Sequence, residues 1–220
     1  MGRKPKIFVF GAGGHAKVVL DVLEQMGSFV VVGLLDDSAQ LHGTTRWGYK
    51  VWGGRDQFAT LQRRGITRLF VALGDNRRRQ FVFEEAGKAG FELVSAIHPS
   101  AQIGGRVTIG AGSLLVAGTV VNVDSMIGEN VIINTGATVD HDCRVGPHAH
   151  LSPGVHLAGG VVVGELTHIG IGAVVLPNLT IGRACVVGAG AVVRESVPDG
   201  AVVAGNPARP LRESEENRGT

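Results

Sequence analysis

The sequence predicts two folds in series: a small α/β unit with a parallel sheet over residues 1–96, then a β-helical prism over residues 97–220. Three observations carry this. Apolar runs alternate with helix-period segments through the first 95 or so residues. From Ile97 to Val193 an aliphatic residue then recurs at every sixth position. Finally, Gly supplies 34 of 220 residues while aromatics supply only 5%, which predicts many tight turns and a core of Val, Ile, Leu and Ala rather than rings.

The first unit follows element by element. Lys6–Phe10 is a short apolar run that stops at Gly11, as a buried strand does. His15–Met26 places Val18, Val19, Val22, Leu23 and Met26 at helical spacing, with Gly27 as its C-cap. Phe29–Leu35 reads as a second strand ending at Asp36-Asp37, and Arg68–Leu73 as a third ending at Gly74-Asp75. A helix from about Arg77 to Lys88, stopped by Gly90, leads to a fourth strand at Phe91–Ala96. The order β-α-β…β-α-β argues for parallel strands with crossover helices, a small Rossmann-like sheet. Between 38 and 67, Trp52, Phe58 and Leu61 suggest one small strand and one helix.

From Ile97 the period is six. Ile97, Ile103, Ile109, Leu115 and so on to Val193 make seventeen aliphatic residues in register, without exception. Two positions before most of them stands a small or short-branched residue, and Cys143 and Cys185 fall in that register as corner filler. At every third repeat the aliphatic residue is followed by glycine: Gly110, Gly128, Gly146, Gly164 and Gly182. A chain that repeats every six residues and closes every eighteen is a triangular prism with one aliphatic side chain inward per side. Glycine along one edge predicts either an unusual φ or a close approach to something outside.

Composition removes several function classes. A net charge of +2 leaves no footprint for nucleic acid. Two cysteines make no disulfide framework and show no metal-ligand spacing. The apolar run after the basic N-terminus is too short for a secretory leader, and no stretch of about 18 apolar residues offers a membrane span. A cytoplasmic protein is expected.

Titratable groups stand out against walls of Val, Ile, Gly, Ala and Thr. His141 lies between Asp140 and Asp142, and an imidazole of ordinary pKa about 6.5 beside a carboxylate suits general-base work at neutral pH. Either aspartate could tune it. His148, His150, His156 and His168 form a second group, in which the eighteen-residue spacing stacks His150 over His168, both facing outward. No third ligand completes a metal set there, so no metal is expected. Ahead of the prism, Gly11-Ala12-Gly13-Gly14-His15-Ala16 follows a strand and opens a helix, where a backbone can approach phosphate, and Asp36 lies 25 residues beyond Gly11. Fewer than 100 residues precede the prism, which argues against a dinucleotide and for one nucleotide. Asn76 and Arg77 are plausible phosphate neighbours, and Arg77–Arg79 otherwise reads as a solvated basic helix start.

The [LIV]-G-x4 repeat, the segment Ile133-Asn134-Thr135-Gly136 to Cys143, and the ending Val202-Val203-Ala204-Gly205-Asn206-Pro207-Ala208-Arg209 resemble the hexapeptide-repeat nucleotide-amino-sugar N-acetyltransferases. The resemblance implies a left-handed parallel β-helix, a homotrimer with active sites between subunits, and acetyl-CoA as co-substrate. It implies His141 as base and Asp142 as the tuning acid, with Asp140 a competitor. It assigns His150, Ile171 and Ala189 to acetyl-CoA, and Gly13, Gly14, His15, Asp36, Asp37 and Gly74 to the sugar nucleotide. The substrate it implies is a nucleotide-linked 4-amino-4,6-dideoxy sugar, GDP-perosamine first and a UDP-linked amino sugar second. Three other readings are weighed against it: a sialic acid O-acetyltransferase of the same layout, a metal-dependent hydratase like the carbonic anhydrases on this fold, and a non-catalytic trimeric scaffold. The nucleotide-type unit ahead of the prism disfavours the last two.

Overall fold

The computed structural model describes residues 4–212; residues 1–3 and 213–220, the two ends of the expected domains, lie outside the described residues. The chain divides into two compact units, Met1–Pro99 and Ser100–Thr220. The division falls three residues past the change of period at Ile97, because Ala96–Ile97 still contacts the first helix.

In the first unit, β1 (Lys6–Phe10), β2 (Val30–Leu35), β5 (Arg68–Val71) and β6 (Glu92–Leu93) form a parallel sheet of order β2-β1-β5-β6. Helix α1 (Gly14–Met26) ends at Gly27, whose φ of 66° lets its N–H reach back to the Leu23 carbonyl. Helix α3 (Asn76–Lys88) starts at an Asp75 cap whose carboxylate accepts the Arg78 N–H at 2.8 Å. Residues 38–67 are richer than one strand and one helix: a hairpin of β3 (Thr45–Arg46) and β4 (Tyr49–Lys50) precedes α2 (Phe58–Arg63).

The core corrects the expectation drawn from composition. All eight phenylalanines lie before residue 92, and Phe8, Phe10, Phe58, Phe70, Phe83 and Phe91 are buried in this unit. Phe58 makes edge-on contacts with Phe10 and Phe91, at centroid distances of 6.1 and 5.1 Å. The average aromatic content hid a segregation: one unit packs aromatic rings and the other has no Phe, Tyr or Trp.

The second unit is the prism, a left-handed parallel β-helix of about six turns. Two-residue strands stack into three parallel faces. Face one runs from Leu114–Leu115 through Ile132–Ile133, His150–Leu151 and His168–Ile169 to Val186–Val187 and Val202–Ala204. Face two runs from Gln102–Ile103 to Val192–Val193, and face three from Thr108–Ile109 to Thr180–Ile181. Each strand residue pairs with the one eighteen further on, except at the last coil, where Val186 and Val187 meet Val202 and Val203 sixteen further on, so every coil hydrogen-bonds the next. After Gly205 the chain doubles back, and Arg209–Arg212 pairs antiparallel with Val202–Ala204.

The inward series is buried from Leu115 onward, whereas Ile103 is 43% exposed because it lies in the first strand of its face. Each fully buried aliphatic side chain contributes about 1.5–3 kcal/mol before entropy is counted. The small residues two positions earlier are also interior, including Ser113, Thr119, Ser125 and Thr167 at 0% exposure. Three of these hydroxyls relay a bond along the stack: Ser125 Oγ donates to the Asp140 carbonyl at 2.8 Å and accepts the Cys143 N–H at 3.1 Å. Ser113 and Thr167 do the same in their own coils.

The corners carry a left-handed residue at every sixth position from Arg106 to Gly190, and eight of these are not glycine. The glycines after every third aliphatic residue have ordinary φ instead. Their close approach is to the next coil of the same chain, not to anything outside: a Cβ on Gly146 would stand 2.7 Å from the Glu165 amide nitrogen.

Candidate active site

His141 stands on the edge between faces two and three, where the chain turns after Val139. Every part of that turn is tied down. Asp140 Oδ1 accepts the His141 N–H at 2.8 Å and an Asn122 side-chain N–H at 2.9 Å. The His141 carbonyl accepts the Gly160 N–H at 2.9 Å, and the Asp142 N–H reaches the Val123 carbonyl at 3.2 Å. From inside, Ser125 holds the peptides on both sides.

Asp142 occupies a left-handed corner position, φ 61°, which aspartate tolerates better than most residues. That backbone turn brings Asp142 Oδ2 to 2.8 Å from His141 Nδ1, while both side chains remain exposed. The bond to Asp142, more than the nearby charges of Asp140 and Asp142, holds the His141 pKa above the ordinary imidazole value. Asp140 is engaged differently: its bonds from the His141 backbone N–H and then Asn122 hold its own carboxyl low. With Nδ1 occupied, Nε2 is left to act as base.

The ring lies over Gly159, eighteen residues on and one coil up. A Cβ on Gly159 would stand 2.6 Å from His141 Cε1 and 2.7 Å from Nε2. Sequence reasoning missed Gly159 and Ser125, although both sit at register distances from the His141 turn that the eighteen-residue period supplies.

The four further histidines separate. His150 and His168 are register partners on face one with ring centroids 4.9 Å apart. His150 faces outward but is only 8% exposed, its Nε2 lying 3.3 Å from Asn134 Nδ2. His168 Nε2 lies 3.0 Å from Ser152 Oγ. His148 occupies a corner beside Asn130, and His156 lies on face two beside Thr138. Among the described residues no group of three or more His, Cys, Asp or Glu is arranged to hold a metal ion. Ile171 is 62% exposed and Ala189 is also exposed; both occupy the edge between faces one and two, in successive coils.

In the first unit, the carboxyl ends of β2, β1 and β5 lie side by side, so the sheet brings Asp36, Asp37, Gly13, Gly14 and Gly74 to one rim. The glycines there differ in kind. Gly11 has φ 118° and a Cβ would press on the Ala72 carbonyl, so the fold requires it. Gly13, Gly14 and Gly74 have unexceptional φ and only open space where a Cβ would go, so nothing within the fold requires glycine. Asp36 accepts the Ala12 and Ser38 N–H groups, both at 2.9 Å. A cavity of about 360 Å³ is lined by Phe10, Asp36, Asp37, Arg55, Arg77 and Phe81, among others. Arg55 pairs with Asp37 at 2.8 Å and lies over the Phe81 ring at 4.6 Å. Neither Arg55 nor Phe81 was expected: the 38–67 segment that carries Arg55 has no period to align it with the strands, and Phe81 lies on the exposed side of α3, where the helical period marks no partner.

Arg79 is a correction. It is 1% exposed, not a solvated helix start, and donates to the Leu73 and Gly74 carbonyls at 3.2 and 3.3 Å and to Asn76 Oδ1 at 3.0 Å. Burial lowers its pKa to about 10. Burial, assisted by the Arg79 charge, also lowers the half-buried His15 to about 4, so His15 is neutral at physiological pH. Asn76 is likewise turned inward, onto Arg79, while Arg77 lines the cavity.

Fold and site together define a class. Residues 6–86 match the PglD N-terminal domain, and residues 124–159 and 160–195 match the bacterial transferase hexapeptide (six repeats). The chain belongs to the hexapeptide-repeat nucleotide-amino-sugar N-acetyltransferases. PerB from Caulobacter crescentus, crystallised with CoA and GDP-perosamine, is 44% identical, with 96% of this chain and 99% of that chain covered and a TM-score of 0.90. A histidine-to-asparagine mutant of that perosamine N-acetyltransferase was crystallised with the same two ligands. The acetyltransferase domain of PglB from Neisseria gonorrhoeae, in complex with acetyl coenzyme A, is 39% identical over 96% of this chain and 100% of that chain, with a TM-score of 0.88. UDP-N-acetylbacillosamine N-acetyltransferase of Bacillus subtilis (strain 168) is 36% identical over 113 residues, 50% of this chain and 51% of that protein, so the match spans about half of that curated relative. No helix among the described residues is long and apolar enough to cross a membrane.

Proposed function

We propose that the protein transfers acetyl from acetyl-CoA to the 4-amino group of GDP-perosamine, with His141 as general base. One observation carries the chemistry: an exposed imidazole whose Nδ1 is held by Asp142 at 2.8 Å, over a glycine that leaves room for its ring. His141 Nε2 takes a proton from the amine as the nitrogen attacks the thioester carbonyl. The tetrahedral intermediate collapses, the C–S bond breaks, and the protonated His141 returns the proton to the CoA thiolate. The products are the N-acetyl sugar nucleotide and CoA.

The nucleotide falls to the first unit, on Gly13, Gly14, His15, Asp36, Asp37 and Gly74. Three of these glycines have no structural need to be glycine, which supports a ligand approaching their backbone. The acetyl-CoA contacts are His150, Ile171 and Ala189. Those residues lie on face one and its edge with face two, whereas His141 lies on the opposite edge of face two. A second prism would bring one chain's donor edge beside another's base, which supports a homotrimer with sites between subunits. A cytoplasmic location fits substrates made by cytoplasmic metabolism.

GDP is preferred over UDP because the relative crystallised with GDP-perosamine matches nearly the whole chain at 44% identity, and the UDP-sugar enzyme matches half of it at 36%. Purified protein given acetyl-CoA and, side by side, GDP- and UDP-linked 4-amino sugars should acetylate the GDP sugar with the higher kcat/KM. Faster turnover of the UDP sugar would overturn the assignment of guanine as the nucleobase, and no amide product with either would overturn the activity.

A further inference from the structure

We propose that Trp47 is a positioning residue for the sugar nucleotide: its indole N–H holds the Ala12 carbonyl, and so turns the Gly13 N–H toward the diphosphate. The inference rests on the nucleotide reading of the first unit. It starts from an anomaly. Trp47 and Gly48 form the turn of the β3–β4 hairpin with φ of 52° and 83°. Both central residues of such a turn need positive φ, and glycine, asparagine or aspartate are the usual choices. A bulky aromatic residue there is an outlier that the rest of the structure must hold in place.

Three contacts hold it. Trp47 Nε1 donates to the Ala12 carbonyl at 3.2 Å. Lys17, in the first turn of α1, places its ammonium 4.4 Å from the Trp47 ring centroid. Tyr49, across the turn, donates to Glu24 Oε1 at 2.7 Å further along α1. The hairpin is thus strapped onto the glycine loop and the helix that follows it.

The consequence concerns two peptide planes. Asp36 Oδ2 takes the Ala12 N–H at 2.9 Å, and Trp47 takes the Ala12 carbonyl, so the planes on both sides of Ala12 are fixed. In a trans peptide the carbonyl and the next N–H point in opposite directions. Pinning the Ala12 carbonyl toward Trp47 therefore aims the Gly13 N–H the other way. Among the described residues, the Gly13 and Gly14 N–H groups donate to no backbone or side-chain acceptor, and the N-cap position at Gly13 has no side chain to fill that role. Open space surrounds both glycines. An acceptor-rich, anionic group fits there, and the diphosphate is that part of the substrate.

The test compares Trp47→Phe with the unmodified protein by calorimetric titration with GDP and with guanosine. Phenylalanine keeps an aromatic ring for Lys17 and removes the N–H together with the rest of the second indole ring, whose loss would affect GDP and guanosine alike. We expect GDP affinity to fall by about threefold to tenfold, the range of one hydrogen bond. Guanosine affinity and the KM for acetyl-CoA should hold, and so should kcat at saturating sugar. Unchanged GDP affinity would overturn the inference. So would equal losses for GDP and guanosine, which mark a merely structural role. If Trp47→Phe fails to fold, isotope-labelled glycine in the unmodified protein decides: the Gly13 amide resonance must shift with GDP and not with guanosine. Failure of the unmodified protein to bind any nucleoside diphosphate would remove the nucleotide reading and this inference with it.

Discussion

Asp142 Oδ2 lies 2.8 Å from His141 Nδ1, although the two residues are adjacent in a chain whose strands would point neighbours to opposite sides. The left-handed backbone at Asp142 makes the contact. It orients the imidazole and raises its pKa, so the neutral, basic form of His141 prevails only above a pH higher than the ordinary 6.5.

The pH profile follows with a definite sign. A base with a raised pKa is protonated as pH falls, so kcat/KM should decline on the acid side with a midpoint above 6.5. Asp142→Asn exchanges the charged acceptor for a neutral amide, which weakens the bond that raises it, and should move that midpoint to lower pH while lowering the plateau. His141→Asn should cost about 10²–10⁴ in kcat and leave ligand affinity in place. A midpoint that moves upward in Asp142→Asn would show that the carboxylate does not stabilise the imidazolium.

Gly159→Ala tests the seat of the ring. Its φ is ordinary, and the atoms a methyl would meet belong to the mobile end of His141 rather than to backbone. Thermal stability should therefore change by less than about 1 kcal/mol, while displacement of the imidazole lowers kcat by about tenfold or more. Normal turnover in a folded Gly159→Ala protein would contradict the geometry.

Gly146→Ala is the contrasting substitution. A methyl at this position meets the Glu165 amide nitrogen and the Gly164 backbone at 2.7–3.0 Å, and neither can swing aside. Overpacking of this kind costs about 1–3 kcal/mol, and the loss should appear as a lower Tm before any change in catalysis.

Gly14→Ala separates stability from binding. At the first residue of α1, with open space beside it, alanine should raise stability by roughly 0.5 kcal/mol. The same methyl occupies space assigned to the sugar nucleotide, so the KM for that substrate should rise while the KM for acetyl-CoA stays constant. A variant that is both stabilised and fully active would show that the open space has no ligand in it.

Much of the prism was legible because its constraints are local and repeated. Leu115, Ile133, Leu151, Ile169 and Val187 all face one interior, so a six-residue period states where each points. The corner conformation was less legible. The left-handed positions include Arg106, Asp124 and Leu166 as well as glycines, so residue type alone does not mark them. The glycines that do recur, such as Gly128 and Gly146, answer to the neighbouring coil instead. In the first unit the strand ends were readable as far as Gly11, Asp36 and Gly74. The burial of Arg79 was not, since three arginines in a row look alike until α3 is packed on the sheet.

The sequence by itself determined that His141 is exposed on a prism of eighteen-residue coils, because only a stack of identical turns buries one aliphatic residue in every six. The tertiary structure decided which aspartate serves it. Asp140 and Asp142 are equivalent in sequence distance, but one ends a strand and bonds the backbone, and the other turns through a left-handed corner and reaches the ring. It also supplied Gly159 and Ser125, which meet the His141 turn only once successive coils are stacked. Period is a property of the chain, whereas the direction of a side chain at a corner depends on its φ and on the coil that covers it.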